Sequence, residues 1–172
     1  MIILKSESWQ IFTILIFPLI IVSILPEEEL VLISVSLISF MTFFFGWLFL
    51  LGFYLNKSLP NFKRKHISLL IISCLFLFLS STLNIINNIL IIEFYEFPEF
   101  LKLFMFLVFI SAFFYVVNFN SRIIYSIEKQ KKNAEFDDYK DIFYFIIALP
   151  IGIWFLQPKI KKIAILYYLD KV

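Results

Sequence analysis

The sequence predicts an all-α, polytopic transmembrane helical bundle, and three observations predict it. First, the 172 residues are 62% hydrophobic and 16% charged, against roughly 25% charged in ordinary soluble domains. Second, the charges are segregated. The windows 8–26, 30–56, 66–92, 103–121 and 142–158 contain no Asp, Glu, Lys or Arg. Third, the first four windows are 19 to 27 residues long, and a helix crosses a hydrocarbon core with about 20 mainly apolar residues. In lipid every backbone N–H and C=O needs an internal partner, so such windows take up helix. Four spans are expected, with a short Pro-kinked fifth hydrophobic segment and a C-terminal amphipathic helix. No repeat or linker divides the chain, so residues 1–172 read as one domain.

The first span is expected over residues 9–25. It contains Pro18, tolerated in membrane helices because neighbours satisfy the freed carbonyl. Lys5 before an apolar run imitates a signal peptide. The 17-residue run is longer than the usual core of about 7–15, however, and it ends in Pro26-Glu27-Glu28-Glu29 without small residues for cleavage. An uncleaved span is the expectation. The second span, 30–55, carries Ser39, Thr42 and Gly46 at i, i+3 and i+7. Small residues let helices approach closely, so the second and third spans are expected to pack at this stripe.

The third span, 67–91, follows a connector with Lys57, Lys63, Arg64, Lys65 and His66 and no acid. Ser73, Ser80, Asn84 and Asn87 form a polar stripe along it. Such groups hydrogen-bond between packed membrane helices, at about 0.6 and up to 1–2 kcal/mol each; the other reading is a lining for a polar solute. The fourth span, 101–117, follows Glu93, Glu96 and Glu99, and the mixed-charge segment 122–141 is expected to continue as helix beyond it.

Lys and Arg in loops set orientation. In chain order the segments outside the four spans hold 1, 0, 4, 1 and 5, with 4 in the tail after the fifth window. The N-terminus is therefore expected in the cytoplasm. Lys outnumbers Arg thirteen to two, a bias of AT-rich bacterial genomes, and a bacterial inner membrane is the expected location.

The fifth segment, 142–156, leaves two readings open. It is short, and Pro150 removes a helix hydrogen bond in its middle. A re-entrant or interfacial course keeps 14 of the 15 basic residues inside, whereas a full crossing leaves 10 inside and 5 outside. Asp137, Asp138 and Asp141 before it and Lys159, Lys161 and Lys162 after it suit a helix dipole in either case. Ala148 and Gly152 form a small-xxx-small pair. After Pro158, Ile160, Ile163 and Ala164 share one face of the expected amphipathic tail helix.

Several chemistries are excluded on composition. A net charge of +2 is too small for a phosphate-neutralising surface, so no nucleic-acid partner is expected. One cysteine, Cys74, permits neither a disulfide nor a Cys-based zinc site within the chain. A single His and three Gly rule out His-pair metal sites and glycine-rich nucleotide loops. No charge lies within a span, whereas intramembrane ionisable residues mark proton relays and ion pathways. No catalytic, metal or cofactor site is expected. The expected partners are the lipid bilayer and a membrane protein or a second copy. A non-enzymatic, partner-binding or regulatory component is the leading reading, and a small oligomeric channel or transporter for a neutral or polar solute is the alternative.

The most distinctive stretch is Pro150-Ile151-Gly152-Ile153-Trp154-Phe155-Leu156-Gln157-Pro158, preceded by Asp138-Tyr139, Phe143 and the helix around Arg122–Glu128. Over residues 120–163 the chain resembles an uncharacterised family of small Bacteroidota integral-membrane proteins that share this C-terminal segment. Where those proteins favour Gly after the position of Glu128, this chain has Lys129. The resemblance implies fold and lineage and no activity. The candidate functional segment is accordingly Pro150, Gly152, Trp154, Gln157 and Pro158, packed against the third-span stripe at Ser80 and Asn84.

Overall fold

A computed structural model describes residues 6–59, 66–89, 98–129, 134–149 and 151–168. These form six helices: α1 (Ser8–Ile24), α2 (Leu30–Ser58), α3 (Ser68–Ile89), α4 (Glu99–Lys129), α5 (Phe136–Ile147) and α6 (Ile153–Tyr168). The described residues contain no strand. Helices α2, α3 and α4 are long and apolar enough to cross a membrane. α1 is apolar too, and its 17 residues make about 26 Å of helix.

Local chemistry sets the boundaries. Leu25 and Leu59 are extended, with ψ of 139° and 146°. Each precedes a proline, whose ring disfavours helix at the residue before it. At the starts of α1 and α5, Gln10 Oε1 accepts the Glu7 N–H at 2.8 Å and Asp138 Oδ2 accepts the Glu135 N–H at 3.1 Å. Both bonds satisfy donors that a helix start would otherwise leave open.

Helices α2, α3 and α4 pack against one another, and α1 lies on α2. α5 runs along α4, while α6 contacts α1, α4 and α5 and so closes the bundle. The core is built from helical faces: Ile11, Leu15 and Pro18 of α1, Leu48, Leu51 and Leu55 of α2, and Leu70, Cys74 and Leu77 of α3. Outward faces are just as apolar. Phe17, Leu79, Leu83, Leu103, Phe104, Phe106 and Leu107 are all exposed, as suits helices whose solvent is hydrocarbon.

α4 continues to Lys129, well past the end expected for the fourth span at 117, but it does not run through the whole mixed-charge segment, whose last residues belong to α5. Its 31 residues reach about 46 Å, against a hydrocarbon core of about 30 Å. From Val116 to Ile127 it is buried on nearly every side, because α2, α3, α5 and α6 surround this end.

The small-residue stripe on α2 does not make the expected contact. Ser39 and Thr42 donate to Val35 and Ile38 of their own helix at 2.8 and 2.7 Å, and a Cβ placed on Gly46 would meet nothing within 4 Å. Close approach occurs at Gly52 instead. A Cβ there would stand 2.8 Å from Leu70 Cδ2 on α3 and 2.9 Å from Asn120 Oδ1 on α4. Gly52 lies among the buried residues Leu48, Leu51 and Leu55, whereas Gly46 sits at the edge of that face. The α3 stripe divides as well. Ser73 is buried, Asn84 and Asn87 are exposed, and the Ser80 hydroxyl donates to its own helix at Phe76 (2.7 Å) and Leu77 (3.2 Å).

Candidate functional site

The 142–156 window does not form one helix. α5 ends at Ile147, with the Ala148 N–H donating to the Tyr144 carbonyl at 2.9 Å and that of Leu149 to Ile146 at 3.4 Å. The Gly152 N–H then donates to the Ala148 carbonyl at 3.1 Å, and Phe155 and Leu156 donate to Gly152 as α6 begins. The result is a tight helical hairpin. Gly152 is there because the chain returns against its own backbone: a Cβ would lie 1.8 Å from the Phe145 carbonyl oxygen. The Phe145 and Phe155 rings stack across the hairpin at 4.8 Å and 10°.

Each arm buries one face. α5 buries Tyr139, Ile142, Phe143 and Ile146, at i, i+3, i+4 and i+7. α6 buries Ile153, Leu156, Gln157, Ile160, Ile163 and Ala164 in the same rhythm. This continuous face explains why α6 starts at Ile153 and not after Pro158, where the tail helix was expected. Pro158 costs the helix one N–H, its φ is already helical, and its ring points outward.

The hairpin is moored to α4 in steps. The Tyr125 hydroxyl donates to Asp138 at 3.2 Å, the Tyr139 hydroxyl donates to Asn118 Oδ1 at 2.7 Å, and Phe143 stacks on Phe114 at 6.0 Å. α5 therefore descends antiparallel to α4, from the level of Tyr125 to that of Phe114. α6 climbs back until Lys159 pairs with Glu128 at 3.3 Å. Both ends of the hairpin thus lie at the same end of α4, and its tip is directed toward the middle of the charge-free 103–121 window.

The same end captures the start of the chain. Gln157, with no exposed surface, donates its Nε2 to the Ser6 carbonyl at 2.7 Å. Lys161 forms an ion pair with Glu7. The Trp154 ring packs on Phe12 at 5.8 Å.

Of the residues singled out in the sequence, Gly152 makes the turn, Trp154 and Gln157 fasten α6 to α1, and Pro158 lies within α6. Pro150 lies outside the described residues. Asn84 is exposed on α3, whose packing partners are α2 and α4, so the hairpin is not seated on the Ser80/Asn84 stripe. Sequence reasoning missed Ser6, Glu7 and Asn118, and it marked Tyr139 only as part of the resemblance, without its partner. These contacts join positions 21 to 154 residues apart, and no local pattern announces them. The one available signal was the pair of opposite charges flanking apolar segments at Glu7 and Lys161.

Chemically, the site is a fastening. Tyr125, Asp138, Tyr139, Asn118, Gln157 and Lys161 all serve to tie one segment to another, and no group of three or more His, Cys, Asp or Glu that could hold a metal occurs among the described residues. The hairpin tip is apolar and outward: Ile151 is 68% exposed, Tyr144 57%, Phe155 56% and Trp154 49%. No protein-family model, curated protein or solved structure matches this chain.

Proposed function

We propose that the chain is a non-enzymatic protein of a bacterial inner membrane, with a cytoplasmic N-terminus, that binds a membrane-protein partner through a re-entrant α5–α6 hairpin. One observation carries this reading: the exposed residues Ala148 and Ile151 lie between two arms that begin and end at the same end of α4. A helix break at membrane depth is tolerated where protein or water covers it, and lipid supplies no hydrogen bonds. The tip carries four large apolar side chains and no charge, which favours a protein cover over a water-filled one. Kinship with the small Bacteroidota membrane proteins belongs to the same proposal and rests on the nine-residue segment.

The channel reading draws no support from this geometry. The Ser80 hydroxyl is tied to its own helix, and Asn84 is exposed on α3 while Gln157 is buried on α6.

The test is photo-crosslinking in native membranes. A crosslinking amino acid at Ile151 or Phe155 is expected to give discrete protein adducts, while the same group at Phe104 gives lipid adducts. An adduct of twice the chain's mass identifies a second copy as the partner. Lipid adducts alone at both hairpin positions would overturn the proposal.

A further inference from the structure

A half-open cleft of about 260 Å³ lies beside the base of the hairpin, lined by His66, Leu69, Tyr115, Asn118, Phe119 and Arg122. Tyr115, Asn118, Phe119 and Arg122 stand at i, i+3, i+4 and i+7 and so share one face of α4. Leu69 lies in the first turn of α3, and His66 stands two residues before that helix begins.

The depth of the cleft follows from the charge pattern. Arg122 is the first charge after the charge-free window 103–121, and His66 opens the window 66–92. Two independent span boundaries therefore meet here, and this is the level at which lipid phosphates lie. Donors dominate the polar part. No Asp or Glu lines the cleft, and Arg122 forms no ion pair among the described residues. The Asn118 Oδ1 is taken by the Tyr139 hydroxyl, which leaves the Nδ2 amino group to donate. Leu69 and Phe119 supply apolar wall.

We infer that this cleft binds a phosphate group, that of an anionic phospholipid, with Arg122 as the charged anchor and Asn118 and Tyr115 as neutral donors. A guanidinium presents a planar fork of N–H groups that matches phosphate oxygens. Basic pockets between membrane helices at the cytoplasmic boundary suit acidic headgroups, and the apolar wall suits the glycerol and the upper acyl chain. The inference stands without the hairpin's partner. Through the Tyr139–Asn118 bond, however, the cleft and the α5 arm share one residue.

The test uses the delipidated full-length chain in mild detergent, with native mass spectrometry reading the molecules retained. Phosphatidylglycerol is expected to be retained about tenfold better than phosphatidylcholine, and Arg122→Gln to weaken that retention about tenfold. Lys162→Gln, which removes an exposed cation outside the cleft, should leave it unchanged. If glycerol 3-phosphate binds as tightly as phosphatidylglycerol, the phosphate site stands and its source is a soluble ester. Equal retention of the two lipids, or of phosphatidylglycerol by wild type and Arg122→Gln, overturns the inference. A photoactivatable phosphatidylglycerol on the unaltered protein gives a reading independent of any variant's folding. Adducts on residues 66–69 or 115–122 support the site, and adducts confined to other segments refute it.

Discussion

Three glycines in this chain occupy three different environments, and a methyl group added to each reports a different part of the fold. At Gly46 a Cβ meets open space. Gly46→Ala should therefore be neutral or stabilise by up to about 1 kcal/mol, the helix-propensity gain over glycine. At Gly52 the added Cβ presses on Leu70 Cδ2 and Asn120 Oδ1, a buried oxygen without a hydrogen-bond partner among the described residues. Both are side-chain atoms that can yield, so Gly52→Ala is expected to cost about 1–3 kcal/mol. At Gly152 the obstacle is the Phe145 backbone, which cannot yield without opening the turn. Gly152→Ala should exceed the Gly52→Ala cost. Reversible unfolding in mixed micelles with rising SDS ranks the three, and a Gly46→Ala penalty larger than that of Gly52→Ala would contradict the packing described. The sequence showed glycines at all three positions, but which of them meets a neighbour depends on the partner helix. For that reason the i, i+3, i+7 stripe pointed to Gly46 while the contact formed at Gly52.

The α5–α6 hairpin is the element at which local and tertiary information divide most clearly. Its disruption was legible. Pro150, Gly152 and Pro158 fall within one 17-residue charge-free window, and each weakens a continuous helix. The place where the helix resumes was not legible, because a run of apolar residues from Ile151 to Leu156 fits either a kinked span or a return arm. The return is set by the Phe145–Phe155 stack and by Gln157 reaching Ser6. Gln157→Leu removes the buried amide that donates to the half-buried Ser6 carbonyl and is expected to cost about 0.5–1.5 kcal/mol, with faster proteolysis near residue 6. Lys161→Gln removes an ion pair with Glu7 in which both partners are partly exposed, and less than about 1 kcal/mol should be lost. Similar losses for the two variants would mean that the charge pair, and not the buried amide, holds the N-terminus.

For the whole molecule the decisive quantity is the sidedness of its ends. Ser6, Glu128, Lys159 and Lys161 lie together, so the start of the chain and the return of the hairpin share one end of the bundle. In a Cys74→Ser background, Glu28→Cys should react with an impermeant maleimide on intact spheroplasts. Lys162→Cys should react only after permeabilisation. Labelling of Lys162→Cys from outside would contradict both the proposed re-entrant course of the hairpin and the proposed cytoplasmic placement of the N-terminus it is joined to.

By itself the sequence determined the all-helical class, the presence of helices long and apolar enough to cross a membrane, and the approximate limits of α1 to α3. Those properties follow from composition, charge segregation and the prolines that follow Leu25 and Leu59, all of which act over a few neighbouring positions. Only the tertiary structure decided that the fifth segment turns back, that Gly52 and not Gly46 is the point of closest approach, and that Arg122 shares a cleft with His66. Each of these depends on which side chains meet across about 10 to 150 positions of chain, and a bilayer removes the hydrophobic contrast that would otherwise mark one helix face as inward. Among helices apolar on every side, the choice of partner falls to shape and to a few polar atoms.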